Sequence, residues 1–467
     1  MDSIPQTLLR LVEGLSDFTD WEEDVLRLSQ EIAQEIASMV LRTIDEKLMN
    51  EREVGLRLIG TRERTITTRF GPLTVERRLY RDKEGNYHFL LDEALGLESR
   101  RGCTPSLEHL SNLVSSYVPF RVASHIISQF ISGAPAHASL HAVVQRTGQE
   151  KKADEREKAR ALFEDGELPA SKMRKADRLI VEADGVMVSL QREKKRRKEM
   201  KLAFSYEGWE PCSRDRYRTV GKTVHSGFSP TELFWHGFSV SLAQRYDLSS
   251  IKDVVLGGDG ASWVRGGNKL FGKSTYQLDR FHLKRALKRA LDGAEAARAY
   301  RKACDGDLNG ADAILARSQE CAPEERAETI AETRRYLASN ADGLPDWRKS
   351  RQEEGLRGLG AAEGNIDKIL ANRFKKRGMS WTVLGGDHMA KVIQMRDNGE
   401  LEDWVHSRHT RERGLVSLSV AAERLKQDVG KDPGAWLESH MPALEGPHSA
   451  RPWVTMLREL AHPPKVV

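Results

Sequence analysis

The sequence predicts a mixed α/β fold, and three observations carry that expectation. The run from Leu179 to Leu190 alternates and is β-branched, as a half-buried strand is. A second apolar run, Val254 to Leu256, ends shortly before Asp259 in VVLGGDGASW. After Glu363 in GAAEGN, the residues Ile366, Ile369, Leu370 and Phe374 recur at helical spacing. Each element carries one acid: Asp184, Asp259 and Glu363. Strand, strand end and helix is the order in which a ribonuclease-H-like sheet gathers three carboxylates around two metal ions. The expected fold is therefore a ribonuclease-H-like mixed sheet, interrupted by an all-helical insertion. An N-terminal helical and β-hairpin region, expected to bind DNA, precedes it.

The elements follow in order. Leu8, Val12 and Leu15, then Val25 to Leu48, recur at three and four, so residues 1–60 read as a packing or dimerising helix. Residues 63–81 change period around Gly71-Pro72 and read as a β-hairpin. Arg62, Arg64, Arg69, Arg77, Arg78 and Arg81 beside it form either a phosphate-contacting face or a solvated one. Residues 104–148 read as three short helices with a Gly-containing turn, the outline of a helix-turn-helix or of a plain three-helix unit. His137, Ser139, His141, Gln145 and Arg146 would be its exposed reading face. A charged helix and a Pro/Ser linker then place a boundary near 165–175.

From residue 178 strands dominate. A polar tip, 192–199, joins the Asp184 strand to a second strand, 200–209. TELFWHGF (231–238) reads as a third strand and Ser239 to Leu248 as a short helix. Lys252 to Gly258 and Thr275 to Asp279 are buried strands, and Arg280 opens a basic helix. Residues rich in Ala, Arg, Glu and Leu follow without a strand signal. Helices are expected at 363–376 and 391–405. The resulting domains are 1–100, 101–165, a first core part 175–290, a helical insertion 291–357, and a second core part with a helical tail, 358–467.

Bulk properties set limits. The chain has 467 residues, 39% apolar and 31% charged, with net charge +5, which describes a folded and mildly basic protein. Four scattered cysteines without a CxxC argue against a zinc ribbon or a disulfide scaffold and favour a reducing cytosol. No apolar run approaches 18 residues, and MDSIPQTLLRLVEG lacks a basic segment followed by an apolar core. Neither a membrane span nor a signal peptide is expected, and the predicted location is the cytoplasm.

The acids point to phosphoryl transfer. That chemistry neutralises charge on the attacking and leaving oxygens, which two Mg²⁺ or Mn²⁺ ions held by hard oxygen ligands achieve. Asp184 would bridge both ions, Asp259 would take one and Glu363 the other. Glu182, on the same strand face as Asp184, and Asp367, four residues after Glu363, compete as ligands. So does Asp387, read as a loop residue. Gly185, Gly257 and Gly258 would allow a nucleic-acid backbone to approach. Asp279 and His282, three apart, share a helical face. They form either a structural hydrogen bond or a group near the scissile phosphate. Arg192, Lys194, Lys195, Arg196, Arg197 and Lys198 at the tip would meet a DNA backbone, as would Arg280, Lys284 and Arg285. Arg373, Lys375, Lys376 and Arg377 add positive charge after Glu363. Trp263 and Trp381 read as core residues, or as a platform for a flipped base.

At these residues the chain resembles bacterial insertion-sequence transposases of the ISLre type, related to the Mutator-like group. The matching segments are VEADGVMVSLQ, MKLAFSYEGWE, YDLSSIKDVVLGGDGASWV, YQLDRFHLKRAL and AAEGNIDKILANRFKKRGMSW, with TRFGPLTVERRLYRD and FLLDEALGL nearer the start. The resemblance covers most of residues 60–385. It implies a DDE transposase with a helical insertion before the Glu and an Asp/Cys-x-x-His element. Carried over, these fall on Asp184, Asp259, Glu363, Asp279 and His282. The expected function is binding of terminal inverted repeats in double-stranded DNA, nicking at the element ends, and attack of the freed 3′-hydroxyl on target DNA. At least a dimer on DNA is expected. The competing expectations are a ribonuclease-H-like nuclease or resolvase, and a retired transposase that only binds DNA.

Overall fold

In the computed structural model of the chain, residues 18–409 are described apart from 98–101, 215, 272–273, 352, 354 and 377. The helical positions Leu8, Val12 and Leu15, the basic residue Arg377, and the tail from 410 lie outside the described residues. The chain divides into two compact units. One takes residues up to His109, Ser124–Pro135 and the residues from Val405. The other takes Leu110–Ala123 and Ala136–Trp404.

In the first unit, helix α1 (Phe18–Asn50) lies against an antiparallel sheet of β1 (Arg57–Thr68), β2 (Gly71–Arg81) and β3 (Tyr87–His88), followed by α2 (Leu90–Leu95). Ala37, Leu41, Ile44 and Leu48 recur along one face of α1 and pack on Leu73, Val75 and Leu91. Gly71 closes the hairpin at φ +104°, and a Cβ there would press within 2.6 Å of the Gln34 and Ser132 side chains. The expected hairpin is present, but much of its arginine is committed within the protein. Arg64 and Arg77 pair with Asp92, and Arg78 pairs with Asp45 at 2.5 Å.

Helices α3 (Pro105–Tyr117) and α4 (Phe120–Ser128) divide their residues between the two units. The third expected helix is longer than its pattern suggested: α5 runs from His137 to Arg160. It buries Leu140, Val143, Val144, Thr147 and Gly148 within the second unit, so it is part of that unit rather than of a free reading head. His137, Ser139 and His141 are exposed, whereas Gln145 and Arg146 are half-buried.

The second unit is built on a five-stranded mixed sheet. Its strands are β4 (Arg178–Ser189), β5 (Arg197–Tyr206), β8 (Thr223–Gly227), β9 (Asp253–Gly258) and β10 (Ser274–Leu278), in the order β10-β9-β4-β5-β8. β5 is antiparallel to β4 and β8, while β9 runs parallel to β4 and β10. A separate hairpin pairs β6 (Gly208–Ser213) with β7 (Arg216–Val220). Parallel strands are covered on both faces, which is why β9 is buried from Val254 to Gly258.

TELFWHGF departs from the expected strand. It forms the first half of helix α6 (Thr231–Arg245), starting after Pro230. Phe234, Trp235, Phe238 and Leu242 lie on one side of that helix and fill the core. Their β-favouring side chains dominate an eight-residue window, and the helical spacing shows only over a longer one. After the short α7 (Ser262–Arg265) and β10 comes the basic helix α8 (Arg280–Ala290). The insertion supplies α9 (Gly293–Asp305), α10 (Leu308–Glu320) and α11 (Glu324–Ser339). Its Ala299, Ala303, Leu315, Ile330 and Leu337 continue the apolar core formed by Leu179, Val181 and Leu283.

The chain returns through α12 (Ala362–Ile366), a π-helical turn (Asp367–Ala371) and α13 (Asn372–Phe374) to α14 (Val383–Asp397) and α15 (Leu401–His409). The helix expected at 391–405 thus starts earlier and breaks after Asp397. Asp387 is a buried helical residue rather than a loop acid. The Gly385-Gly386 pair suggests a loop, but Thr382 caps the helix through Gly385 N–H, and Gly386 leaves room for the Phe228 ring. Helix α14 seats on α5, where a Cβ at Gly148 would stand 2.2 Å from the His388 carbonyl oxygen.

Candidate active site

Strand β4 sends alternate residues to opposite sides: Leu179, Val181 and Ala183 into the apolar core, Glu182 and Asp184 to the other face. Asp184 reaches a cavity of about 380 Å³ whose walls also hold Asp259, Asp279, His282 and Glu363. Residues from four separated segments therefore meet in one place. Asp259 follows β9 directly, and its Oδ1 accepts from Ala261 N–H at 2.9 Å. The insertion holds this loop from the far side: Tyr336 on α11 donates its hydroxyl hydrogen to the Asp259 carbonyl at 2.7 Å.

Asp279 has two tasks. Its Oδ1 caps α8 by accepting from the N–H groups of Phe281 and His282, at 2.7 and 3.0 Å, and it stands 3.3 Å from His282 Nδ1. Burial pushes the Asp279 carboxyl up, and His282 with the capped amides outweighs it and holds the group below its usual range. The Asp279 carboxylate at that distance, helped by the charges of Asp184 and Asp259, raises the His282 pKa. Asp184 moves the other way. Burial is the largest cause, and the charges of Asp259 and Asp279 add to it, so its pKa rises to about 6.

Glu182 is not a wall of the cavity. It is 1% exposed, and its carboxylate accepts from the Tyr206 hydroxyl at 2.6 Å and from three successive backbone N–H groups, Gly360, Ala361 and Ala362. These amides open α12, which carries Glu363. Glu182 therefore positions Glu363 instead of competing with it. Burial nevertheless raises its pKa above the usual carboxylate range. Asp367 faces away and pairs with Lys376 at 3.1 Å. Asp387 is held by Lys152 and by Phe228 N–H, the latter at 2.7 Å. Both drop out as site residues.

The cavity holds a fifth carboxylate, one that the sequence pattern did not single out. Glu199 on β5 lines it, and burial raises its pKa, the nearby Asp259 charge adding to the effect. Gly185 explains its position: a Cβ there would stand 2.2 Å from Glu199 Oε1. A glycine inside a strand marks such a close approach, and that was the available signal. The other two glycines likewise serve the protein's own packing rather than a nucleic-acid backbone. Gly257 makes room for Leu359 and Gly258 for Val264.

The basic residues divide. Arg192, Lys194, Lys195, Arg196, Arg197 and Lys198 are exposed at the β4–β5 tip, with Arg192 at φ +62°. Lys284 is exposed, and Arg285 lines the cavity. Arg280 also lines it, but its guanidinium donates to the Leu344 carbonyl at 2.7 Å and so ties α8 to the segment after α11. Arg373 is buried and donates to the Ser115 carbonyl. Trp263 and Trp381 are buried, and neither presents a free stacking face. Among the described residues, no group of three or more His, Cys, Asp or Glu side chains converges tightly enough, as placed, to hold a metal ion. No described helix is long and apolar enough to cross a membrane.

Fold and site together define a mixed α/β protein with an acidic, histidine-flanked cavity at the end of a parallel strand pair. The chain belongs to the uncharacterised protein family UPF0236, whose profile matches residues 10–411. It is 23% identical over 408 residues to the UPF0236 protein in vanSb 3'region of Streptococcus gallolyticus, covering 84% of this chain and 86% of the relative. Two UPF0236 proteins of Caldanaerobacter subterraneus subsp. tengcongensis are similarly distant. One is 23% identical over 394 residues, covering 82% of this chain and 79% of its own length. The other is 22% identical over 400 residues, covering 83% and 80%, and bears a name that joins eleven locus designations.

Proposed function

We propose that the chain is a DNA transposase that cuts and joins phosphodiester bonds at the ends of an insertion sequence. The observation that carries this reading is the single cavity gathering Asp184, Asp259 and Glu363 with Asp279 and His282. Counted in chain order, the sheet strands run 3-2-1-4-5 with the second antiparallel, the arrangement expected of a ribonuclease-H-like core. A relative whose name joins eleven loci fits a gene carried in many copies.

The donor set suits a hard divalent cation in kind: carboxylate oxygens, one of them with a pKa lifted to about 6 by burial beside other acids. Asp184, Asp259 and Glu363 would hold the ions and draw inward to do so. Bound Mg²⁺ or Mn²⁺ would neutralise charge on the attacking and leaving oxygens. His282, whose pKa the Asp279 carboxylate raises, would place positive charge beside an entering phosphate in its protonated form. Glu182 fixes the start of α12, and Tyr336 fixes the Asp259 loop, so the segments carrying two of the three acids are held by hydrogen bonds. In the first step water attacks the phosphorus and the bond to O3′ breaks, leaving a 3′-hydroxyl on the element. In the second that hydroxyl attacks a target phosphorus, and the target's own bond from that phosphorus to O3′ breaks, freeing a 3′-hydroxyl on the target.

The test is incubation of purified protein with Mg²⁺ or Mn²⁺ and labelled DNA carrying the element's ends, with Asp259→Ala as control. End-specific nicks followed by joined products, absent in the variant, support the transposase. Cutting without joining and without end preference would replace this reading with a nuclease. Binding without cleavage in either metal would replace it with a retired DNA-binding protein.

A further inference from the structure

The cavity does not close at His282. A second one, of about 270 Å³, opens between α8 and α11, and its wall shares Asp259, His282 and Arg285 with the first. Arg289 lines it from α8, and Tyr336 with Glu332 from α11. His282, Arg285 and Arg289 follow at i, i+3 and i+7, so they occupy one face of α8. At 1.5 Å per residue they span about 10 Å of helix axis, close to the rise of three nucleotides in a DNA strand.

These two arginines differ from others nearby. On the insertion Arg326 pairs with Asp292, and Arg334 with Asp312. Arg285 and Arg289 have no carboxylate partner among the described residues; Arg285 stands only against the Phe281 ring, at 5.9 Å. Two guanidiniums without an ion-pair partner, along a groove that starts among the acids of the first cavity, suit a polyanion, with Arg favoured for phosphate oxygens. The one acid proper to the far wall, Glu332, keeps the anion on the α8 side.

We propose that this groove is a subsite for the phosphodiester backbone beside the scissile phosphate. The strand that enters the acid cavity runs along α8 against Arg285 and Arg289, and the insertion helix α11 is its outer wall. This rests on reading the acid cavity as a phosphodiester-transfer site. It gives the insertion a role in holding substrate besides fixing the Asp259 loop.

The experiment uses the full chain and end DNA in which one phosphate at a time near the cut is replaced by an uncharged methylphosphonate. Binding is read by fluorescence anisotropy for the natural protein, Arg289→Ala, and Lys288→Ala, an exposed position of equal charge outside the groove. One or two substitutions within about three nucleotides of the cut should weaken natural binding roughly tenfold, the size of one charge-assisted contact. Arg289→Ala should bind natural DNA more weakly by a similar factor and lose sensitivity at that position, while Lys288→Ala keeps it. Full sensitivity at every position in Arg289→Ala overturns the groove assignment and leaves the transfer-site reading standing. Absence of DNA binding by the natural protein overturns both.

Discussion

Asp184 shows the tension that a largely buried acid imposes on its own fold. Its pKa is raised, so the folded protein binds this proton more tightly than the unfolded chain does. The sign follows: stability rises as pH falls through about 6 and is reduced above it, where the carboxylate is charged. Asp184→Asn should therefore stabilise the cation-free protein at pH 7.5, by roughly 1–3 kcal/mol on the scale of that shift. Urea unfolding in a chelator checks this; a destabilised variant would refute it. The same variant should cleave no DNA, and so should Asp259→Ala and Glu363→Gln, while all three keep DNA affinity. Cation affinity of the natural protein should fall about tenfold per unit below pH 6, because the ion competes with the Asp184 proton. Titration calorimetry at several pH values measures that.

At the scale of elements, the site depends on contacts that hold whole segments. Glu182 satisfies three backbone donors at the start of α12 and the Tyr206 hydroxyl. Glu182→Ala leaves those groups buried without an acceptor and should cost roughly 2–4 kcal/mol. Glu182→Gln keeps one acceptor oxygen and should cost less. If Glu182 positions Glu363, the Gln variant should raise the Mg²⁺ concentration needed for half-maximal cleavage while DNA affinity stays unchanged. An unchanged metal requirement would reduce Glu182 to a packing residue. Tyr336→Phe removes one bond to the Asp259 loop. It should cost about 1 kcal/mol and lower cleavage, linking the insertion to the site through a single hydroxyl.

For the molecule as a whole, charge and unit membership make the consequential claims. The exposed tip, Arg192 to Lys198, stands apart from the cavity, so its charges would bind any DNA alike. Replacing Lys194, Lys195, Arg196 and Arg197 with Ser should weaken binding to end and random DNA equally and flatten the salt dependence, by a slope of up to about 3.6 if all four touch phosphates. An unchanged slope would make the tip a merely solvated turn. Helix α5 is buried in the sheet-bearing unit through Leu140, Val143 and Val144, with Lys391 and Glu155 paired at 2.7 Å between α14 and α5. A chain beginning at residue 166 should lose near-ultraviolet circular dichroism.

Period and residue type determined much of this protein. The strand at Asp184, the strand ending before Asp259, the helical insertion and the helix at Glu363 were all legible, because each repeats a local pattern that burial enforces, and the basic tip because a run of charge stays in solvent. So were the acids themselves and the Asp279–His282 pair. The fully buried strand β8, Thr223–Gly227, was invisible because it has no exposed face to alternate with. The aromatic start of α6 was misread because side-chain propensity outweighed spacing in a short window. Only the tertiary structure decided which acids face the cavity. Glu182 and Asp184 share a strand face, and what separates their roles is that the α12 amides meet one and open space meets the other. Glu199 joined the site, and Asp387 left it, for the same reason. Orientation is set by contacts between segments far apart in the chain, and no local pattern records those.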